Sequence, residues 1–121
     1  RGEMMSSVSI RLRGSHAAGI EALANVLKEE INAELIAESW RSLHDVRVVL
    51  LSFERYFFRN GSYASLTVLL TESQDMQTAD IVGSGGGEGL FNISWGANSD
   101  FAEMAAELLR KYGFCEESQW P

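Results

Sequence analysis

The sequence contains one cysteine, two histidines and only ten lysines and arginines, and each of these shortages argues against a class of function. Cys115 alone cannot close an intrachain disulfide, and it lacks the paired spacing of a zinc or redox motif. Seventeen acidic residues leave a net charge of -7, whereas a protein that neutralises phosphates needs the opposite balance. We therefore expect no nucleic-acid partner, no metal and no cofactor.

Long apolar runs are also missing, since no stretch approaches the ~20 residues that a membrane span requires. Residues 1–5 show no apolar core of a signal peptide, and the single cysteine suits a reducing compartment, so we expect a cytoplasmic protein without a membrane partner. The chain has 121 residues, of which 45% are hydrophobic and 22% charged, as in one globular domain. We expect a single domain over residues 1–121, with loose ends at 1–5 and 116–121.

Apolar periodicity predicts the first elements of the chain. Residues 8–13 alternate apolar and polar side chains, as a half-buried strand does, and residues 16–32 repeat apolar side chains at helical spacing. Ser15 precedes that helix as its N-cap, and His16 falls in its first turn. Residues 35–43 suit either a helix or a strand, and we assign a strand.

A hairpin is predicted next, because two runs rich in β-branched and aromatic residues, 46–58 and 63–71, flank Asn60-Gly61. This dipeptide favours a two-residue type I′ turn, which needs positive φ at both central positions. Such a turn pairs Leu51 with Leu70 and Arg55 with Leu66. The expected core face of the hairpin's first strand then consists of Val49, Leu51, Phe53, Arg55 and Phe57.

The opposite face of the predicted hairpin carries its most conspicuous side chains, Leu50, Tyr56, Phe58, Tyr63 and Leu69. Together they would expose a larger apolar patch than the few hundred Å² that a monomer usually tolerates. Aromatic residues are favoured at the centres of interfaces, so this face is predicted to join a homo-oligomer, most simply a homodimer. Alternatively, residues 90–95 or the C-terminal tail cover it.

The remaining elements complete an α+β pattern. Residues 78–82 predict a strand, and residues 90–94 suit a further short strand. Asp100 and Glu103 have capping-box spacing at the start of a helix, and Gly113 is expected to end that helix. The order β-α-β-β-β-β-α indicates an antiparallel sheet of about five strands with two helices on one face.

A glycine-rich segment separates the last strand from the last helix. Its five glycines, too many for the interior of a packed strand, are Gly83, Gly85, Gly86, Gly87 and Gly89. A phosphate-binding loop would use backbone N–H groups, but no G-x-G-x-x-G register fits and nearby carboxylates would repel an anion. We expect a structural hinge or a close-packing element.

No arrangement of residues indicates an enzyme, and no catalytic residue is assigned. His16 and His44 have Ser15 and Asp45 as sequence neighbours, but a catalytic relay is defined by spatial geometry. His44 is expected in a loop. Cys115 has no recognisable nucleophile context, so we interpret it as an inert thiol near the end of the last helix.

A small-ligand site is the alternative to a non-enzymatic interaction module. The element order resembles that of helix-grip folds, which places a pocket between the core face of the sheet and the closing helix. Arg55 is unusual on that face, because a buried guanidinium is costly unless it is paired. It either pairs with Glu103 or Glu107, or holds the acidic head of an apolar ligand. The pocket would then be lined by Phe53, Phe57 and Phe101.

Residues 83–87 have the sequence GSGGG, and residues 90–97 have LFNISWGA and lead into an acidic helix. This pattern resembles the signature of an uncharacterised family of small bacterial proteins, a domain of unknown function. With Arg59-Asn60-Gly61 and residues 64–68, the resemblance covers most of the chain. It implies a bacterial single-domain protein and brings no activity, ligand or catalytic residue.

Overall fold

The computed structural model describes residues 6–57, 61–85 and 91–119. These residues form an α+β fold with an antiparallel sheet of six strands, one more than expected, and two helices. The elements are β1 (Ser6–Arg13), α1 (Ile20–Glu30), β2 (Glu34–Leu43), β3 (Val46–Phe57), β4 (Ser62–Glu72), β5 (Gln77–Gly85), α2 (Phe91–Arg110) and β6 (Cys115–Glu116), followed by a 3-10 helix (Glu117–Gln119). The strand assignment for residues 35–43 is confirmed.

The sheet has the strand order β2-β3-β4-β5-β1-β6, so that the first strand of the chain lies inside the sheet between β5 and the short β6. Helix α2 packs across β1, β4 and β5, and α1 packs on β3 and β4 beside α2. We call the side of the sheet that faces the helices the covered face. Its core residues are almost fully buried and include Val49, Leu51, Phe53, Leu66, Val68, Leu70 and Ile81.

The β3–β4 hairpin has a different register from the one predicted. Leu51 pairs with Val68 rather than Leu70, and Arg55 pairs with Ala64 rather than Leu66. With Phe57 opposite Ser62, the register does not fit the predicted two-residue turn at Asn60-Gly61, and residues 58–60 lie outside the described residues. Because the shift is two residues, which equals the side-chain period of a strand, every residue keeps its predicted face.

Helix α1 begins at Ile20 rather than at residue 16, and its N-cap is Gly19 rather than Ser15. His16 is therefore not in the first turn of a helix. It has a φ of 63°, and its backbone N–H donates to Oε1 of Gln77 at 3.0 Å, while Nε2 of Gln77 donates to the carbonyl of Ala18 at 2.8 Å. These tertiary bonds hold the segment in a turn that sequence periodicity cannot show.

Helix α2 begins at Phe91, so the short strand suggested for residues 90–94 is wrong. A short apolar run cannot be assigned to a strand or a buried helix by periodicity alone. Asp100 lies within this helix rather than at its N-cap. The predicted end is confirmed: Gly113 follows the helix with a φ of 91°, and its N–H donates to the carbonyl of Arg110.

Two segments that were predicted to be irregular contain regular secondary structure. Strand β5 continues past Val82 to Gly85, and Gly83 pairs with Val8 on one side and Leu66 on the other. Gly83 and Gly85 therefore belong to a strand inside the sheet, and Gly86, Gly87 and Gly89 lie outside the described residues. Near the C-terminus, residues 115–119 form β6 and the 3-10 helix, so the tail carries regular structure through residue 119.

Candidate functional site

The sheet face opposite the helices is the first candidate for a functional surface. We call it the open face, and it consists of the alternate strand positions that include Arg11, Leu50, Tyr56, Tyr63, Leu69 and Val82. Both described helices pack on the other side of the sheet. Tyr56, Tyr63 and Val82 are 41%, 58% and 38% exposed.

The open face brings the predicted interface residues together in cross-strand pairs. Leu50 lies directly opposite Leu69, and both are half-buried. Tyr56 lies opposite Tyr63, with ring centroids 5.0 Å apart and an edge-to-face angle of 62°, a geometry that aromatic pairs favour. The fifth predicted residue, Phe58, lies outside the described residues.

Hydroxyl groups occupy the centre of the open face. Ser52 Oγ and Thr67 Oγ1 are 3.5 Å apart, and Ser65 Oγ lies 2.8 Å from Ser84 Oγ. These pairs link neighbouring strands without adding charge. The centre of this face can therefore lose water at a smaller cost than a charged surface, because its polar groups already have partners.

Charge is distributed unequally between the two sides of the sheet. On the open face, the strand residues Arg11, Arg13 and Arg41 are balanced by Glu34, Glu54 and Asp80, and Arg11 Nε lies 3.1 Å from Asp80 Oδ1. The whole chain has a net charge of -7, so the acidic excess lies elsewhere than on the strand positions of this face.

The second candidate surface is the edge of the sheet at β2. All ten residues of this strand are exposed, including four large apolar ones, Leu35, Ile36, Trp40 and Leu43. Sequence reasoning identified the strand but not its place at an edge. The alternation of a strand reveals which face is buried, whereas its neighbours in the sheet are set by distant parts of the chain.

Trp40 is held in place on the helix side of β2 by charged neighbours. Its Nε1–H donates to Glu38 Oε2 at 2.8 Å, and Lys28 Nζ donates to the same oxygen at 2.9 Å. The hydrogen bond from Trp40, and then that from Lys28, lower the pKa of Glu38. The Arg47 guanidinium lies 5.2 Å from the centroid of a Trp40 ring, and Arg47 also bonds to Glu21 at 3.0 Å.

An open groove of about 430 Å³ lies at the end of the sheet near the α1 N-terminus, lined by His16, Asp45, Arg47, Glu72 and Ser73. His16 Nε2 lies 2.9 Å from the Ser73 carbonyl, and Ser73 Oγ accepts a hydrogen bond from the N–H of Met76. The histidine therefore contacts a carbonyl and not the hydroxyl, which is not the arrangement of a nucleophile and its base. His44, as predicted, lies in a turn, with a φ of 56°.

Gln77, beside this groove, is the one buried polar side chain among the described residues and is 2% exposed. Its Oε1 accepts from His16 N–H, and its Nε2 donates to the Ala18 carbonyl and to Glu72 Oε2, both at 2.8 Å. Every polar atom of this side chain thus has a partner. Gln77 acts as a clamp between the β1–α1 turn and β5, a role that its sequence context did not reveal.

The predicted ligand residues are distributed between the core and its margin. Phe53 and Phe101 are fully buried in the core, and Arg55 is half-buried on the covered face. The side chain of Phe57 lies outside the part of the chain that the structure describes. The ligand site stays a prediction.

The two carboxylates proposed as partners of Arg55 both contact Arg110. Arg110 donates to Glu103 at 3.2 Å, to Glu107 at 3.4 Å and to Glu116 at 2.5 Å. The Glu116 bond is the main reason that the pKa of Arg110 is raised. This cluster fastens the end of α2 to β6.

The chain matches the family of unknown function DUF6054 over residues 5–113. It belongs to this family. The comparisons with curated proteins and with solved structures found no match. The membership confirms the resemblance to a family of unknown function, and it transfers no activity to any residue.

The described residues also bear on membrane and metal partners. No helix among them is both long enough and apolar enough to cross a bilayer. In the same part of the chain, no three histidine, cysteine or acidic side chains are grouped so that they could hold a metal ion.

Proposed function

We propose that this member of the family is a non-enzymatic interaction module that forms a homodimer through its open face. One observation carries the proposal: both helices of the described residues cover the same side of the sheet, and the other side presents ordered aromatic and aliphatic pairs. The partner that fits this face best is a second copy of the same face.

The size of the open face suits a dimer. Strands β3 and β4 are 12 and 11 residues long. At about 3.3 Å per residue and about 4.8 Å between strands, six strands offer roughly 800 Å². A standard interface buries roughly 800 Å² on each partner, so two open faces together provide enough area for a stable complex.

The charge and shape of the face also favour self-association. Its strand positions carry three basic and three acidic residues, so two copies meet without the repulsion that a net charge of -7 on each chain suggests. Two such sheets would pack about 10 Å apart, with Leu50 and Leu69 in the buried centre and the tyrosine pair towards one end.

A charge introduced at Leu69 tests the proposal. Leu69→Glu places a carboxylate in the centre of the face, opposite Leu50, where dimer formation would bury it without a partner. Because this contact is then lost, we expect Leu69→Glu to show a lower mass than the parent protein in sedimentation velocity at micromolar concentration. Asn25→Glu, on the exposed side of α1, is the matched control and leaves the mass unchanged. An unchanged mass for Leu69→Glu contradicts the proposal.

Binding of an apolar acid beside Arg55 is a second candidate, favoured by the position of that residue in β3. Arg55 is half-buried on the covered face, two residues along β3 from the fully buried Phe53. Native mass spectrometry of protein purified from cells tests it. A bound small molecule that is lost in Arg55→Gln supports the site, and spectra with the mass of the bare chain alone contradict it.

A further inference from the structure

We propose that the exposed strand β2 pairs antiparallel with β2 of a second copy around a two-fold axis at Trp40, which joins two six-stranded sheets into one of twelve strands. This contact uses the edge of the sheet rather than the open face. It therefore does not rest on the proposed function, and either contact can exist without the other.

The two edges of the sheet differ in a way that points to β2. Strand β6 has only two residues and passes directly into a 3-10 helix, so it offers little backbone to another chain. Strand β2 has ten exposed residues and contains neither lysine nor proline, two residues that protect natural edges. Its one irregularity is the shift between Leu35 and Ala37, which leaves residues 37–43 regular.

Geometry restricts how β2 can pair with itself. Residues directly opposite each other in an antiparallel pair point to the same side of the sheet. Sides alternate along residues 37–43, because this segment pairs regularly with β3. The two-fold axis must therefore lie where one residue faces its own copy in the other chain, rather than between two successive positions of the strand.

Charge and length then select the residue on the axis. An axis at Glu38 would place two carboxylates opposite each other, and an axis at Arg41 would oppose two guanidinium groups. An axis at Ser39 would extend the pairing into the irregular part of the strand, and one at Ser42 would leave three pairs. Trp40 is the centre of the seven regular residues, and its axis pairs all of them.

This register also gives each charge and each large apolar side chain a compatible neighbour. Arg41 lies opposite Ser39 of the other copy, and Glu38 lies opposite Ser42, so no like charges face each other. Leu43, which is 69% exposed in one chain, meets Ala37. The two Trp40 rings meet at the centre, and each already has its Nε1–H bonded to Glu38 in its own chain.

A pair of variants at one exposed position tests the register by charge sign. Ser39→Arg would place an arginine opposite Arg41 of the other copy at two symmetric sites, whereas Ser39→Glu would place a carboxylate there. We expect Ser39→Arg to halve the sedimenting mass at micromolar protein and Ser39→Glu to keep it. Equal masses for the two variants, with circular dichroism showing both folded, would overturn the proposal.

Disulfide trapping tests the same register without removing Trp40. In a Cys115→Ser background, Ser39→Cys chains are mixed with Arg41→Cys chains and oxidised with copper phenanthroline, which accepts the electrons of the two thiols. We expect a cross-linked heterodimer of twice 13.4 kDa on a non-reducing gel. No cross-linking above that of an Asn25→Cys control overturns the pairing, and equal cross-linking of Ser39→Cys alone overturns the Trp40 axis.

The edge and face contacts are distinguished by combining variants. If both form, Ser39→Arg and Leu69→Glu each halve the mass, and the double variant sediments at 13.4 kDa. If Leu69→Glu alone lowers the mass, the edge proposal is overturned. If Ser39→Arg lowers it while Leu69→Glu and Ser39→Glu do not, the edge proposal holds and the proposed face contact fails.

Discussion

The covered and open faces of the sheet are built from the same strands and yet have opposite properties. Leu51 is fully buried under the helices, whereas its neighbour Leu50 is half-buried on the open face. The covered face holds one continuous apolar core, while the open face holds pairs of leucines, tyrosines and hydroxyl groups. Stability is therefore expected to depend mainly on the covered face.

Truncating the two neighbouring leucines gives the largest expected contrast. Leu51→Ala leaves a cavity in the core and is expected to lower the free energy of unfolding by about 3 kcal/mol. Leu50→Ala is expected to lower it by about 1 kcal/mol, because water already reaches that side chain. Urea denaturation of both variants at one protein concentration measures the difference. Equal losses would show that the open face contributes as much as the core does.

The buried clamp extends the contrast to polar groups. Gln77→Leu removes the partners of His16 N–H and the Ala18 carbonyl, and we expect a loss of about 2 kcal/mol from these unsatisfied groups. Thr78→Val changes the next residue, which points to the open face, and is expected to alter stability by about 0.5 kcal/mol or less. Thermal unfolding compares them, and a Gln77→Leu variant as stable as Thr78→Val would refute the clamp.

Two glycines test how tightly the covered side is packed at this end. A Cβ at Gly14 would collide with Gln77 Oε1 and with the Phe114 ring, so Gly14→Ala is expected to cost about 1–2 kcal/mol. Gly19 has no neighbouring atom within 4 Å of such a Cβ, and Gly19→Ser supplies an N-cap hydroxyl worth about 0.3 kcal/mol. Destabilisation of both variants to the same extent in urea would contradict this packing.

The smallest predicted effect concerns pH at the exposed edge. Because the Glu38 pKa is lowered in the folded state, its bonds stabilise the protein above the ordinary carboxyl pKa, and this contribution disappears as pH falls through the lowered pKa. Trp40→Phe removes the largest single cause, and Lys28→Met removes both a hydrogen bond and a positive charge, so each variant should raise the Glu38 pKa. Carboxyl chemical shifts measured against pH test this expectation, and a Glu38 pKa unchanged in both variants would contradict it.

Much of the fold could be predicted from local patterns. The alternation in β3 and β4 identified Leu51 and Phe53 as core residues, and it did so despite a register error of two residues, because faces repeat every two positions. The end of α2 at Gly113 was likewise evident, since it depends on a residue that tolerates positive φ.

The errors concern features that depend on distant contacts. The turn at His16 is held by Gln77, which is 61 residues away in sequence. Residues 90–94 contain an apolar run that suits a strand or a helix, and the structure continues the helix from Phe91. Gly83 lies in a strand because β1 and β4 both pair with it, although glycine is a poor strand former.

By itself, the sequence determined the class of the fold, the order of its main elements and the face on which each β3 and β4 residue lies, because side-chain period and backbone preference are local properties. Only the tertiary structure decided that β2 is an edge, that β1 is internal and that the open face has no described helix on it. These features depend on which strands become neighbours, and that choice is made by the packing of residues far apart in the chain.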